Sequence, residues 1–488
     1  MGLLVLALVD CMQPARPPDS APASPSAAHP GIEPPPGLYA PLVFVHVSVI
    51  DATGAPAQPD RTVVVQDGRI AAIGQTGRLK IPRSARLVDG SGKFLIPGLW
   101  DMHAHLIDED DGASRLFTLF VANGVTGIRH MSGTMFGCTD LLQWRRESWE
   151  GTAVIPRIFA ASNLVDGPDP QHEGSIVVRD VAQGRQAVVR IQQEGWDMLK
   201  IYEDLPREVY LAILDEARNR DLPVAGHVSW AVSAGEAASA GLRSIEHLHP
   251  FMVACSAAEA ECRQELLRAV QSNDDVSVIR AQERALDNYS ETKATEIFQC
   301  LVHNGTWECP TLTLFRPPAM PEESLVKDPR LRFLPQGLKT GWAAASRQLR
   351  SMLPEADGGR GFRRLLAMVG SMHQAGVRMV AGTDTPNPYC LPGFGLHDEL
   401  QLLVEAGLTP MEALRTATGN VAQFDRRLSA LGTIEPGKLA DLVLLDANPL
   451  EDIRNTQRIR AVVLGGRLLE RAELDRMLAG LEASAGKK

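Results

Sequence analysis

The segment Phe94-Leu-Ile-Pro-Gly-Leu-Trp-Asp-Met-His-Ala-His-Leu106 decides how this chain folds. It begins apolar, is interrupted at Pro97-Gly98, and continues as a short strand into His103 and His105. Side chains at positions i and i+2 of a strand lie on the same face, so these two imidazoles point the same way. Together they can bind one metal ion such as zinc, nickel, iron or copper. The alternative is two ordinary polar residues on a strand.

The composition is that of a large globular protein. The chain has 488 residues, of which 44% are hydrophobic and 5% aromatic. This length allows a barrel of about 250 residues together with a smaller domain. The formal net charge is −10 and no basic block occurs, which argues against nucleic acid as a partner. No run of about 18 apolar residues occurs that would predict a transmembrane helix.

The N-terminal segment suggests export. A short apolar run ends in Cys11, and the Pro/Ala/Ser-rich stretch from Pro14 to Pro36 has the composition of a flexible tether. The pair resembles the end of a bacterial lipoprotein signal in which Cys11 is lipidated, which implies a periplasmic or membrane-anchored protein. However, no basic segment precedes the run, and Asp10 stands where a small residue is usual. A disordered tail on a cytoplasmic enzyme is therefore the alternative.

The other six cysteines do not predict a metal site. They contain no Cys-x-x-Cys motif, so a cysteine zinc site is not indicated. Disulfide pairing is open to them in an oxidising compartment. Free buried thiols are the simpler interpretation.

Both ends of the chain show short strands separated by turns. Asp67-Gly68 predicts a hairpin turn between two strand-like runs. The C-terminal strands are followed by a helix-like tail at residues 470–483. The candidate strand segments are Leu42–Ile50, Thr62–Gln66, Arg69–Gly74, 432–446 and 460–469.

Between about residues 97 and 431, strand-like and helix-like segments alternate, which predicts βα units and a parallel sheet. Helix-like stretches include Asp180–Glu194 and Arg207–Arg218. The long segments 250–304 and 314–365 are predicted to be helical insertions over the active face. Eight candidate strands fit a (β/α)8 barrel: Leu99–His105, Val125–Met131, Val154–Ala161, Met198–Tyr202, Pro223–His227, Ser244–Leu248, Thr306–Leu312 and Arg378–Thr383.

Four further polar residues end candidate strands, where the catalytic groups of a barrel lie. They are Lys200, His227, His247 and Asp384. Lys200 stands in an apolar strand, where an unpaired ammonium is costly. A salt-bridged lysine, two core histidines and a solvated turn aspartate are the alternatives for these positions.

This ordered set resembles the metal ligands of the amidohydrolase superfamily. The matching strings are Ile96-Pro-Gly-Leu before His103-x-His105, a lysine on the fourth strand, Ile245-Glu-His-Leu and Gly382-Thr-Asp. The resemblance extends from about residue 42 to residue 469. It implies an α/β fold, a (β/α)8 TIM-like barrel with a flanking composite β-sandwich domain built from both chain ends. The implied domains are 1–40 (signal-like segment and linker), 41–96 (N-terminal strands of the sandwich), 97–431 (hydrolase barrel) and 432–488 (C-terminal strands of the sandwich and a final helix).

The resemblance also implies two divalent metal ions, zinc by default, with manganese, iron or cobalt as alternatives. Lys200 is expected to be carboxylated, because a neutral amine adds CO₂ to give a carbamate that bridges two ions. A bridging hydroxide would attack the carbonyl, and Asp384 would pass the proton to the leaving nitrogen. The implied ligands are His103, His105, Lys200 and Asp384 for the first ion and Lys200, His227 and His247 for the second.

Lys200 distinguishes two branches of the superfamily. It favours the binuclear branch that contains Xaa-Pro dipeptidases related to imidazolonepropionase, whereas mononuclear imidazolonepropionases and many deaminases do not need this lysine. His172, in Asp169-Pro-Gln-His-Glu-Gly, is expected to supply the histidine loop of that branch and is a second candidate catalytic residue. His249 is expected to lie behind the ligands. Where the branch often has Arg-Asp after the second strand, this chain has Arg129-His130. The resemblance therefore does not predict the end of the second strand or the part of the substrate pocket beside it.

The sequence thus predicts an enzyme that hydrolyses an amide or peptide-type C–N bond. The expected substrate is a small molecule such as a dipeptide or an N-acyl amino acid. A lactonase, cyclic amidase or arylester hydrolase on the same site is one alternative, and a mononuclear imidazolonepropionase-like hydrolase is another. A non-enzymatic scaffold is disfavoured because every expected ligand is present. The sequence leaves a homo-oligomer open.

Overall fold

The structure, a computed structural model, describes residues 39–107, 112–134, 138, 140–352 and 359–485. Cys11 and the predicted tether lie outside the described residues. Within the described ranges, no helix has both the length and the apolar character needed to cross a bilayer. Cys255, Cys262, Cys309 and Cys390 are buried free thiols, as the simpler interpretation expected.

The described chain alternates strands and helices after an initial group of strands. The strands are β1 (Leu42–Val49), β2 (Gln58–Gln66), β3 (Arg69–Gln75), β4 (Arg86–Asp89), β5 (Phe94–Pro97), β6 (Leu99–Ala104), β7 (Val125–His130), β8 (Arg157–Asp166), β9 (Ile176–Val177), β10 (Met198–Ile201), β11 (Val224–Gly226), β12 (Ser244–Glu246), β13 (Trp307–Cys309), β14 (Arg378–Met379), β15 (Leu442–Leu445), β16 (Ile459–Leu464) and β17 (Arg467–Glu470).

Most of the helices follow a barrel strand and cover the outside of the sheet. They are α1 (Gly112–Ala122), α2 (Leu141–Glu150), α3 (Val181–Gln193), α4 (Arg207–Asn219), α5 (Ala234–Ala240), α6 (His249–Ala254), α7 (Glu259–Gln271), α8 (Asp275–Asp287), α9 (Glu291–Asn304), α10 (Leu312–Phe315), α11 (Glu322–Val326), α12 (Gln336–Met352), α13 (Arg360–Gln374), α14 (Phe394–Glu405), α15 (Pro410–Thr416), α16 (Gly419–Phe424) and α17 (Arg471–Ala485). Short 3-10 turns occupy Pro317–Ala319, Pro329–Phe333, Arg426–Leu428 and Ile453–Gln457.

One sheet is built from both ends of the described chain, in the order β17-β16-β15-β5-β1-β2-β3 with β4 beside β1. The N-terminal strand β5 pairs antiparallel with the C-terminal strand β15. The turn between β2 and β3 is the predicted hairpin, since Asp67 and Gly68 both have left-handed φ angles, 52° and 73°. The predicted flanking β-domain is confirmed.

The second sheet is parallel and follows the order β6-β7-β8-β10-β11-β12-β13-β14, with β9 attached to β8. Its two ends meet beyond β14. The N–H of Met102 donates to the carbonyl of Ala381, and the N–H of Asp384 donates to the carbonyl of His103, both at 2.8 Å. This contact joins the first strand to the segment after the eighth and closes the circle of strands. The predicted (β/α)8 barrel is confirmed.

The junction between the two sheets lies within residues 94–106. Gly98 links β5 to β6, and its N–H donates to the carbonyl of Asp441 at 2.8 Å. A Cβ at this position would lie 2.0 Å from the Thr126 hydroxyl oxygen, so the chain passes too close for any side chain. The break at Pro97-Gly98 therefore transfers the chain from the flanking sheet into the barrel.

Three barrel strands differ in extent by three or more residues from the sequence prediction, and the eighth, predicted at Arg378–Thr383, covers only Arg378–Met379. The third was predicted at Val154–Ala161 and runs over Arg157–Asp166, because it continues through the polar pair Ser162-Asn163. Ser162 is accommodated there because its hydroxyl accepts the Lys200 N–H at 3.1 Å. The seventh strand ends at Cys309, and helix α10 follows. The segments 250–304 and 314–365 are mainly helical where described, as predicted.

Candidate active site

All seven residues predicted to form the site line one small cleft at the carboxyl ends of the barrel strands. They are His103, His105, His172, Lys200, His227, His247 and Asp384. Each side chain is almost completely buried, with at most 6% of its surface exposed. The cleft also contains Ser132, Leu164 and Tyr202, which the sequence alone did not single out.

Asp384 lies at the centre of three histidines. Its Oδ1 is 2.9 Å from the Nε2 of His105 and 3.3 Å from the Nε2 of His103, and its Oδ2 is 3.9 Å from the Nε2 of His247. One ligand atom each from His103, His105 and Asp384 all lie within 4.8 Å of one another. Burial opposes ionisation of Asp384, whereas the hydrogen bond from the His105 ring favours it, and the pKa of this carboxyl lies below its ordinary value.

The four predicted histidine ligands share one orientation. Each places its Nδ1 against a carboxylate or hydroxyl partner, which leaves Nε2 facing the other ligands. The Nδ1 partners and distances are Glu246 Oε2 for His103 (2.8 Å), Ser132 Oγ for His105 (3.0 Å), Glu203 Oε1 for His227 (2.6 Å) and Thr311 Oγ1 for His247 (2.7 Å). Histidines that bind metal are usually held in this way, with the second ring nitrogen fixed by a carboxylate or another polar group.

The protonation state of these imidazoles is the one that allows them to bind a cation. Burial lowers the pKa of His103, His227 and His247 well below the ordinary value, so each ring is neutral. Because Nδ1 of His103 donates to Glu246, its Nε2 carries a lone pair, and this atom has no hydrogen-bond partner among the described residues. A lone pair 3.3 Å from a carboxylate oxygen is unfavourable unless a positive charge lies between them. The donor set therefore fits a divalent metal ion.

Lys200 enters the same cleft from strand β10. Burial lowers the pKa of its ammonium to about 8. Because a larger share of the amine is neutral near that pH than for an exposed lysine, the side chain is closer to the form that can add CO₂. The position therefore agrees with the predicted carbamate, which stays a prediction.

Similarity to known proteins identifies the family. Residues 94–469 match the family model described as "Amidohydrolase family". This chain belongs to the amidohydrolase family. It is 26% identical to ochratoxinase from Aspergillus niger over 487 residues, which covers 86% of this chain and 85% of that protein. It is also 42% identical to imidazolonepropionase from Pyrobaculum arsenaticum over 80 residues, which are 16% of this chain and 19% of that protein.

Solved structures agree with this assignment. A bottromycin amidohydrolase superposes with a TM-score of 0.68 at 25% identity, covering 91% of this chain and 90% of the other. A Xaa-Pro dipeptidase with bound methionine in the active site superposes with a TM-score of 0.62 at 20% identity, covering 88% of this chain and all of the other. The family match establishes that this chain is an enzyme, a hydrolase that acts on carbon–nitrogen bonds, and the solved structures show the same fold.

Two of the predicted ligands in this amidohydrolase have unusual backbone angles. His247 has a φ of 65° and Asp384 a φ of 59°, both in the left-handed region that costs energy for residues other than glycine. Gly382 allows the Asp384 segment to lie against β6, because a Cβ there would come 2.7 Å from the His103 nitrogen. Asp101 joins the same two strands, since its carboxylate accepts from Thr383 Oγ1 at 2.6 Å.

His172 lies in the cleft as predicted, on the loop after β8. Its Nε2 is 3.1 Å from the hydroxyl of Tyr202, and burial lowers its pKa to about 4, so the ring is neutral at neutral pH. Its proposed catalytic role stays a prediction. His249 does not line the cleft, and its ring centroid is 5.9 Å from that of His247.

The Arg129-His130 pair, which departs from the pattern of the related dipeptidases, is structural. His130 Nδ1 accepts the N–H of Leu106 at 3.1 Å, and its Nε2 lies 2.8 Å from the carbonyl of Gly133. Burial lowers the pKa of His130 to about 3, so the ring stays neutral and fixes the two loops that follow β6 and β7.

Arg129 and Glu246 form a buried ion pair behind His103. The guanidinium lies 2.6 Å from Glu246 Oε2, and the same oxygen accepts from His103 Nδ1 at 2.8 Å. Arg129 also donates to Ser244 Oγ at 2.9 Å and to the carbonyl of Met102. The role of Glu246 behind His103 is not evident from the motif Ile245-Glu-His-Leu. The available indication was its position two residues after Ser244, which places both side chains on the same face of the strand.

Replacing Glu246 by glutamine is expected to weaken metal binding about 10–100-fold, the usual effect of altering a group that orients a ligand histidine. The amide still accepts from Arg129 but no longer provides a carboxylate for His103. Affinity is to be measured by competition with a chromophoric chelator, and circular dichroism verifies that the variant is folded.

Glu308 offers the matched control. It lies on the neighbouring strand β13, is also fully buried, and neither carboxylate oxygen has a hydrogen-bond partner among the described residues. Glu308→Gln should therefore leave the metal affinity unchanged. Equal affinity in both variants would show that Glu246 does not orient His103.

Proposed function

We propose that this amidohydrolase is a binuclear metal-dependent enzyme that hydrolyses the amide bond of a dipeptide or an N-acyl amino acid. The observation that supports it best is the common orientation of His103, His105, His227 and His247, whose Nε2 atoms all face the cleft that Lys200 and Asp384 also line. A site with this many neutral nitrogen donors and two potential oxygen ligands suits two divalent ions better than one.

His103, His105, Lys200 and Asp384 would hold one ion, and Lys200, His227 and His247 the other. Lewis-acid polarisation of the scissile carbonyl and a lowered water pKa are the chemistry that two divalent ions supply when bound. Lys200, as its carbamate, would contribute an oxygen to each position and one negative charge. The resulting ligand set carries two negative charges, from Asp384 and the carbamate, which partly offset the cationic charge.

Asp384 is the group that moves protons. Its Oδ1 lies within 3.3 Å of two imidazoles, at the centre of the cleft. In this position it can take the proton of the attacking water and return it to the leaving nitrogen, acting first as general base and then as general acid. Because the pKa of the carboxyl is held low, Asp384 is ionised and ready to accept that proton at neutral pH.

His172 and Tyr202 lie next to each other in the lining of the cleft. Their hydrogen bond of 3.1 Å holds the phenol and the imidazole in one position. Burial raises the pKa of the Tyr202 phenol well above its ordinary value, so it stays protonated. One donor of the pair is used in this bond, which leaves either the Tyr202 hydroxyl or the ring N–H of His172 to donate a hydrogen bond to a polar group of the substrate beside the scissile bond.

The proposal predicts metal-dependent release of an amino acid. Protein loaded with zinc, manganese or cobalt is to be assayed against a library of dipeptides and N-acyl amino acids, with the metal content measured by elemental analysis. We expect two ions per chain, loss of activity after chelation, and recovery on re-addition of metal.

Two outcomes would contradict the proposed function. Full activity with one ion per chain would exclude the binuclear assignment and favour the mononuclear alternative. Rapid hydrolysis of lactones without hydrolysis of any amide would exclude the proposed substrate class.

A further inference from the structure

A second cavity lies beside the predicted metal cluster, on the same side of the barrel. Its volume is about 370 Å³. Loops after three barrel strands form one side of it, at residues 168–171, 203–206 and 229–231, and helices α7 and α8 of the insertion after β12 form the other. A cavity of this size is typical of small organic ligands and is much larger than an inorganic ion needs.

The charged groups of this cavity all have one sign. Among the described residues, five carboxylates line it and no lysine, arginine or histidine does: Asp169, Glu203, Asp204, Asp274 and Asp275. Their burial increases inward, from exposed Asp169 and Asp274 at the rim to fully buried Glu203. Arg263 donates to the backbone oxygens of Trp230 and Val232, but its guanidinium is already paired with a glutamate outside the cavity.

Glu203 gives a separate indication of a ligand. Its side chain is 3% exposed, and its Oε1 accepts from His227 Nδ1 at 2.6 Å. Its Oε2 has no hydrogen-bond partner among the described residues. A buried carboxylate oxygen without a donor is costly. Glu203 also lines the cavity, so a cation bound there would lie beside this buried carboxylate and offset its charge. Burial and the neighbouring Glu203 also raise the pKa of Asp204 to about 6, which means that the negative charge of Asp204 is poorly compensated by the protein.

The remaining lining fits the carbon portion of an organic cation. Leu267, Val270 and Val278 come from the helical insertion, and Pro168 and Trp230 from the loops. An aromatic ring beside carboxylates is a typical environment for guanidinium and ammonium groups, which bind the face of the ring and the carboxylate oxygens together. The apolar residues can contact an alkyl stem.

The position of the cavity favours a long alkyl stem. Consecutive residues divide between the two sites: His172 and Tyr202 line the metal cleft, whereas Gln171 and Glu203 line the cavity. The whole imidazole of His227 lies between the cleft and Glu203. A substrate α-ammonium, two bonds from the scissile carbonyl, is too close to the reacting atoms to reach across. The side chains of lysine and arginine have the necessary length.

We propose that this cavity binds the positively charged side chain of a lysine or arginine in the substrate, and that the enzyme therefore prefers dipeptides or N-acyl amino acids with a basic residue. The inference rests on the proposed amide-hydrolase function and adds a substrate class to it. Arginine, with a planar guanidinium that pairs bidentately with carboxylates, suits the cavity best.

The test uses matched substrates and matched free amino acids. Arginine substrates are to be compared with their citrulline counterparts, which have nearly the same shape without the charge, and the basic residue is to be placed on either side of the scissile bond. We expect kcat/KM to be about 10–100-fold higher for the arginine substrate, the value of one or two charge-assisted hydrogen bonds. Binding of free arginine and citrulline to the metal-loaded protein, measured by calorimetry, should differ similarly.

Asp204→Asn should reduce towards one the arginine-to-citrulline ratio of kcat/KM and the corresponding ratio of binding affinities. Asp475→Asn, which removes an exposed carboxylate on α17, should leave both ratios unchanged. If no amide is hydrolysed but arginine still binds more tightly than citrulline, the proposed function fails and the cavity assignment stands. Amide hydrolysis without a charge preference, together with equal binding of arginine and citrulline, would overturn the cavity assignment alone. Binding of Ca²⁺ that depends on Asp204, without any preference for arginine, would identify an inorganic cation site and would also overturn it.

Discussion

Replacing Lys200 by alanine is expected to release bound metal and to lower hydrolysis at least about 100-fold, because loss of a ligand should exceed the 10–100-fold effect of altering a group behind one. The lysine is fully buried on β10 and lines the cleft with all six other predicted site residues. If it is carboxylated, the variant loses an oxygen donor for both ions. Elemental analysis and steady-state kinetics of the purified variant measure the two effects.

A chemical rescue separates the carbamate from a structural role of the lysine. Acetate, propionate or a similar small acid can occupy the space left in Lys200→Ala and should restore some of the metal content and activity. Lys200→Met is the matched control, because its side chain fills that space and leaves no room for the acid. An unmodified lysine in a high-resolution structure of the metal-loaded enzyme would contradict the carbamate.

Replacing Asp384 by asparagine should lower kcat by about 10²–10⁴, the range expected for the loss of a general acid–base. The amide keeps the size of the side chain and one oxygen ligand, so metal content should change much less than in Lys200→Ala. The measurements are kcat, KM and metal content of the variant, with its fold checked by circular dichroism.

The comparison with His172 assigns the base. His172→Gln should lower activity less than Asp384→Asn, because His172 contacts Tyr202 at the side of the cleft whereas Asp384 lies among three imidazoles. Near-normal turnover of Asp384→Asn together with an inactive His172→Gln would transfer the proton-moving role to His172.

The barrel and its cleft were predictable because each predicted residue ends a strand. His103 and His105 share the parity of one strand, and Lys200, His227 and His247 end apolar runs of the right length. In a parallel barrel the carboxyl ends of all strands lie on one face, so their order along the chain was sufficient to bring them together. The structure shows all of them in one cleft.

The groups behind the ligands were harder to predict. Glu246 reaches His103 from a strand more than 140 residues away in the sequence, and Thr311 fixes His247 from the segment after β13. Such contacts depend on which side chains meet across the barrel, and no local pattern records that. The left-handed φ angles of His247 and Asp384 also follow from tertiary packing, since such angles are uncommon for any residue other than glycine, although histidine and aspartate adopt them more often than most.

The acidic cavity was beyond sequence analysis for a related reason. Its carboxylates come from two loops and one insertion, and in the sequence each of them resembles an ordinary surface aspartate or glutamate. The insertion was correctly predicted to be helical. The position against which the turn between α7 and α8 packs was not predictable. The amphipathic pattern of a helix shows which of its faces is buried but does not identify the element that covers that face.

The pairing of β5 with β15 has a consequence for how the protein is made. At about 5–20 residues per second, the roughly 350 residues between these strands take roughly 20–70 s to synthesise. Throughout that interval the nascent chain presents β5 with an unpaired, apolar edge, the kind of edge that recruits strands from neighbouring chains. A ribosome that stalls within the barrel would release a product with this edge permanently open. Slow translation of the barrel should therefore favour aggregation, and chaperones that bind extended apolar segments should protect the chain until β15 emerges.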